Sequence, residues 1–267
     1  MPKQLSDLYA ALRARAQEPA PAGAHALYIA GRRCGWATHA ACDALQGAAH
    51  IDVDTDALRI GAALVAREAP GARVLLAMPP GPDWYAAFFG CLYAGVIAVP
   101  AFPPENNRQM HIERLTGILR DAKPGVVLAS REVVARYQAQ LQPLLVEGAA
   151  LLAIEDIGAD YRAAYQRQLI RSADLAFLQY TSGSTSAPKG VMVSHANLMA
   201  NEHSMTRGFA ASAEESWVSW LPLYHDMGLI GAWLGSLYVG FPLVVMSPLA
   251  FLSRPLRWLQ AIDRYRG

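Results

Sequence analysis

Apolar positions along this chain follow two periods in turn. From Asp52 the spacing of Leu58, Ala62, Leu64 and Val65 predicts a helix, with Asp54 and Thr55 as cap candidates and Pro70-Gly71 beyond its end. Residues 74–78 are a short unbroken apolar run stopped by Pro79 and Pro80, the signature of a buried strand. Pro82 suits a first helical turn, and the helix it opens runs to about Ala94. Gly95 ends that helix and residues 96–99 make the next strand. Residues 110–121 place Ile112, Leu115, Ile118 and Leu119 on one helical face. A strand at 126–128, a helix at 131–140 and a strand at 151–154 continue the alternation. Repeated strand–helix–strand units imply an α/β fold of layered sublobes with mostly parallel sheets.

Further on, residues 175–179 and 191–193 read as strands, with a loop from Tyr180 to Gly190 between them. Ser194 caps a helix from His195 to about Met205. A strand at 217–220, a helix at 226–238, a strand at 243–246 and a helix at 255–265 complete the pattern. The chain is therefore expected to hold a first α/β sublobe over residues 52–172 and an incomplete second one over 173–267. Residues 19–50 show no clear period and read as loops with short extended pieces. Two charge-free stretches, 84–102 and 227–251, mimic membrane spans. Gly95 and Pro100 break the first and Gly240, Pro242 and Pro248 break the second, so each reads as a helix followed by a buried strand.

Composition narrows the classes. Of 267 residues, 53% are hydrophobic and 17% charged, an ordinary globular balance. A formal net charge of +1 gives no electrostatic case for nucleic acid or an anionic membrane surface. The amino terminus carries charges and no apolar core of a signal peptide, so a cytoplasmic location is expected. Cys34, Cys42 and Cys91 show neither disulfide nor zinc-site spacing and read as small hydrophobes. Lysine is rare: only Lys3, Lys123 and Lys189 occur.

One of these lysines stands where chemistry is expected. In the run 180–190, Thr181, Ser182, Ser184, Thr185 and Ser186 offer hydroxyls, and Gly183 and Gly190 let backbone amides turn toward a ligand. Lys189 adds a point cation, and the set suits a polyphosphate. It is not a Walker A loop, because Pro188 stands where that loop needs glycine before its lysine. A plain Ser/Thr-rich connection is the simpler alternative.

The stretch 179–197, with Thr-Ser-Gly-Ser-Thr, Pro-Lys-Gly-Val and Ser-His-Ala-Asn-Leu, resembles the signature of the acyl-adenylate-forming superfamily of acyl-CoA synthetases, adenylation domains and luciferases. The blocks 220–231 (Trp-Leu-Pro-Leu-Tyr-His-Asp-Met-Gly-Leu-Ile-Gly) and 88–100 resemble two more of its motifs. Their wording, together with Phe251-Leu252 and the run 254–259, is most similar to fatty-acyl-AMP ligases, in their amino-terminal part. The resemblance implies activation of a fatty acid by ATP and Mg²⁺ to acyl-AMP, with release of pyrophosphate. Transfer to the phosphopantetheine thiol of an acyl carrier protein would follow, as in polyketide, nonribosomal peptide or lipid biosynthesis.

By resemblance, Thr181, Ser182, Gly183, Ser184 and Thr185 wrap the phosphates, with Lys189 and Gly190 beside them. His225 stands beside the acyl carboxylate; a capping or core histidine is the alternative. Met227, Gly228, Ile230, Gly231, Trp233 and Leu234 would line the acyl tunnel, which an inward Trp233 would shorten. Asp226 reads as the cap of that helix. The family has glycine where Ser186 stands; if that residue needs positive φ, serine costs about 1 kcal/mol. The family's magnesium-associated carboxylate, ribose-binding aspartate and late lysine are expected beyond Gly267, so the isolated chain is expected to turn over little. A fragment of an acyl-CoA synthetase, or a non-catalytic half-domain that binds a nucleotide or a partner, are the alternatives.

Overall fold

A computed structural model describes residues 34–35, 50–51, 53–103, 109–166, 168–181 and 188–267. They form two compact units, Asp54–His195 and a second made of Met1–Val53 with Ala196–Gly267.

The first unit is built on a six-stranded sheet in the order β6-β5-β3-β4-β7-β8. The strands are β3 (Arg73–Ala77), β4 (Ile97–Pro100), β5 (Val126–Ala129), β6 (Ala150–Ala153), β7 (Leu175–Thr181) and β8 (Lys189–Ser194). All neighbours are parallel except the β7–β8 pair at the edge. Helix α1 (Val53–Val65) leads into β3, and α2 (Pro82–Ala94), α3 (Gln109–Ala122) and α4 (Arg131–Leu141) connect β3 to β4, β4 to β5 and β5 to β6. Because strand side chains alternate, a sheet covered on both sides buries every residue, and β4 and β5 are buried throughout. On one face Leu75, Val99 and Val127 pack with Leu115, Ile118 and Leu119 of α3 and with Val133 and Tyr137 of α4. Toward the other face Phe88 of α2 lies 5.8 Å from Phe177 of β7 and stacks on Trp84 at 5.4 Å.

Helix α2 ends as the sequence implies, with Gly95 in the left-handed region at φ 69°. It then passes into β4, so the charge-free stretch 84–102 is a helix and a strand. No helix among the described residues is long and apolar enough to cross a membrane. The boundary expected near 172 falls elsewhere. β7 and β8 hydrogen-bond into the first sheet, and the unit therefore runs on to His195.

In the second unit β1 (Cys34–Gly35) pairs antiparallel with β2 (His50–Ile51), and β9 (Trp217–Ser219) pairs parallel with β10 (Leu243–Val245). Helix α5 spans His195–Gly208. The helix expected over 226–238 is two elements, a π-helical segment Met227–Leu234 and a short α6 (Gly235–Val239). The widened turns start at Gly228, where the absence of a Cβ lets the backbone close onto the Pro222 carbonyl. Helix α7 (Pro248–Ser253) was not expected, although its signal is standard: Ser247 accepts the Ala250 N–H at 3.1 Å and Pro248 opens the first turn. Helix α8 (Leu256–Tyr265) closes the unit, and Trp258 donates its indole N–H to the Val218 carbonyl at 2.9 Å. Phe251 stacks on Trp220 at 4.0 Å.

Candidate functional site

The hydroxyl-rich run is the connection of an antiparallel hairpin. β7 and β8 pair with Tyr180 opposite Gly190 and Thr181 opposite Lys189. Two residues singled out in the sequence therefore face each other at the mouth of one loop, and both are exposed. Ser182, Gly183, Ser184, Thr185 and Ser186 lie outside the described residues.

The base of the hairpin is pinned from β7. Tyr180 is 4% exposed, and its hydroxyl donates to Asp121 Oδ2 at 2.5 Å. Burial and then the Asp121 bond hold that phenol above its ordinary range. Gly190 packs closely on this ring: a Cβ there would lie 3.0 Å from Tyr180 Cζ, and the ring would have to give by a few tenths of an ångström. Gly190 therefore has a steric role at this hairpin beside the backbone freedom expected of it.

The second cluster of sequence candidates lies on the turn 222–228 and the π segment. His225 N–H donates to the Pro222 carbonyl at 3.1 Å, and the His225 carbonyl accepts Gly228 N–H at 3.1 Å and Leu229 N–H at 2.9 Å. The imidazole is 57% exposed, with Nδ1 2.7 Å from Asp226 Oδ1. The same Nδ1 also lies 3.3 Å from the Met227 backbone nitrogen, whose N–H points at it. Asp226 also caps the segment, accepting Met227 N–H at 2.8 Å. Gly228, Trp233 and Leu234 are buried, with Trp233 at 0% exposure. Ile230 and Gly231 are half-buried, and Met227 is 61% exposed.

Sequence reasoning missed Glu202. It is 2% exposed, and neither carboxyl oxygen has a hydrogen-bond partner among the described residues. Its Oε2 lies against α6, where a Cβ on Gly235 would approach it to 3.3 Å. Burial pushes the carboxyl up to about 8, so it is mostly protonated at neutral pH. The signal was present, because Glu202 shares the buried face of His195, Leu198 and Met199 at helical spacing. Burial likewise holds the His195 imidazole down at about 4, with Asp174 opposing.

Over 197 residues the chain is 41% identical to the medium-chain-fatty-acid–[acyl-carrier-protein] ligase JamA of Moorena producens (strain JHB), covering 73% of this chain and 33% of that protein. It is 39% identical over 205 residues to the long-chain-fatty-acid–AMP ligase FadD26 of Mycobacterium bovis, covering 72% and 34%. The crystal structure of the fatty acyl-adenylate ligase from L. pneumophila, in complex with acyl adenylate and pyrophosphate, superimposes with a TM-score of 0.75. It is 39% identical and covers 83% of this chain and 39% of that one. The chain thus spans about a third of the length of the curated relatives it matches. The pattern of the AMP-binding enzyme family matches residues 37–267, both the hairpin and the His225 turn included, and the chain belongs to that family.

Proposed function

We propose that this chain is the amino-terminal part of a fatty-acyl-AMP ligase that activates a fatty acid with ATP for transfer to an acyl carrier protein. A fatty-acid carboxylate oxygen bonds to the α-phosphorus of ATP, the bond to pyrophosphate breaks, and acyl-AMP remains. The carrier's phosphopantetheine thiol then takes the acyl group and AMP leaves. Both partners of the first step are anionic, so the protein must neutralise charge and hold an in-line geometry.

The observation that carries this reading is the facing of Thr181 and Lys189 across the mouth of the hydroxyl-rich hairpin. It places a hydroxyl donor and a cation at the two ends of one loop, as a chain of phosphates requires. In this reading residues 182–185 and Gly190 complete the cradle. His225 orients the acyl carboxylate by donating an Nε2–H to it. The buried π segment, Trp233 and Leu234 above all, walls the acyl chain. Magnesium finds no set of three His, Cys, Asp or Glu side chains among the described residues, and would enter on the nucleotide's phosphates.

Titration with ATP tests the cradle. Lys189→Ala is expected to raise the Kd about tenfold, the scale of one charge-assisted contact. An unchanged Kd would remove Lys189 from the site. The reaction is tested with the chain joined to the remaining two thirds of a relative. Fatty-acid-dependent exchange of pyrophosphate into ATP is expected, with acyl transfer to holo carrier protein. Transfer to coenzyme A instead would make it an acyl-CoA synthetase.

A further inference from the structure

Both neighbours of Lys189 are seated, directly or through one side chain, on the same face of α3. Pro188 lies over Gly117, where a Cβ would meet its Cγ at 2.7 Å and its Cδ at 3.1 Å. Gly190 lies on the Tyr180 ring, within 3.2 Å of the hydroxyl oxygen for an added Cβ. That hydroxyl bonds Asp121, one helical turn beyond Gly117. The ring itself packs in the core cluster that holds Leu115, Ile118 and Leu119 of α3. Strand alternation then sends Lys189 to the opposite side from Pro188 and Gly190, where it is exposed.

We propose that α3 positions the Lys189 ammonium, with Gly117 seating Pro188 and the Asp121–Tyr180 bond holding the ring on which Gly190 rests. The inference rests on the hairpin being a phosphate cradle. Gly117, Asp121 and Tyr180 are positioning residues that touch no phosphate themselves. Each contact is short and stiff: a proline ring in a notch, and an aromatic ring tied at both ends. A backbone held on both sides of one residue leaves that residue's Cα little freedom. The ammonium therefore loses less entropy when it meets an anion.

The scarcity of lysine makes the test site-resolved. Acetylation by acetic anhydride, read by mass spectrometry, reports Lys189 and Lys123 separately in the intact chain. Magnesium tripolyphosphate is expected to shield Lys189 and leave Lys123 unchanged. In Asp121→Asn, Tyr180→Phe and Gly117→Ala the shielding midpoint is expected about fivefold higher, the scale of one hydrogen bond's worth of positioning. A structural role alone would not pass through the lysine. Calorimetric titration should therefore find that Asp121→Asn weakens tripolyphosphate binding in the parent chain but adds no loss to Lys189→Ala. Equal losses in both backgrounds, or an unshifted midpoint in a folded Asp121→Asn or Tyr180→Phe chain, overturn the positioning role while leaving the cradle standing. Absence of shielding in the parent chain overturns the cradle and this inference together. Tyr180→Phe, which removes a single oxygen, carries the test if Asp121→Asn does not fold.

Discussion

Gly228→Ala is expected to destabilise the second unit by about 3 kcal/mol or more, one of the largest effects a single methyl group can have here. A Cβ on Gly228 would lie 2.2 Å from the Pro222 carbonyl oxygen, 2.8 Å from its carbon and 2.9 Å from the Leu221 oxygen. All three atoms are backbone, so no side chain can swing away. The turn must open, and with it go the bonds from His225 N–H to Pro222 and from Gly228 and Leu229 N–H to His225. Gly231, three residues on in the same motif, is the internal control. Nothing lies within 4 Å of a Cβ there, and its φ is not in the left-handed region. Gly231→Ala is expected to be neutral or to stabilise by about 0.5–1 kcal/mol through the unfolded chain. Urea unfolding of the two variants measures both; equal effects would mean that the approach to Pro222 does not set the turn. In the proposed enzyme, Gly228→Ala would also displace His225, and turnover should fall more than ATP affinity.

Glu202→Gln is expected to stabilise the chain in a pH-dependent way. Buried without a partner among the described residues, the carboxyl binds its proton more tightly in the folded chain, up to about 8, than its ordinary value of 4.5. Where the unfolded chain has lost that proton and the folded chain keeps it, stability falls as pH rises. The loss therefore accumulates from about 4.5 to about 8 and then levels, by at most ~1.4 kcal/mol per pH unit and on the order of 3–5 kcal/mol in all. Glutamine matches the shape and cannot ionise. At pH 5 the two chains should be nearly equal, and at pH 9 the variant should be the more stable by that amount. Parallel stability curves across this range would show that the carboxyl is solvated or paired. The position matters for the proposed site, because Glu202 lies against Gly235, where the π segment passes into α6.

The sheet order, in which β7 and β8 join the strands of the first half, depends on pairings between residues far apart in sequence. No local period records them, which is why a boundary near 172 looks natural in the sequence and dissolves in the structure. The π turns have the same origin. The apolar spacing of Leu229, Ile230, Trp233 and Leu234 fits a regular helix, and only the press of Gly228 onto the Pro222 carbonyl shows where regular geometry gives way. Glu202 was visible as a charge on an apolar face, but its burial depends on what packs there.

What the sequence determined by itself is the set of elements whose cause is local. These are the buried runs of β3, β4 and β5, the proline that opens α2 and the glycine that closes it, and the crowding of hydroxyls, glycines and one lysine into a single loop. Periodicity, caps and turn chemistry act within a few residues, so they can be read in order along the chain. Tertiary structure alone decided that Thr181 faces Lys189, that Asp121 reaches Tyr180 and that Gly117 receives Pro188. Asp121 and Tyr180 are 59 residues apart in the chain, and closing that distance costs entropy that only the packing of α3 on the sheet repays.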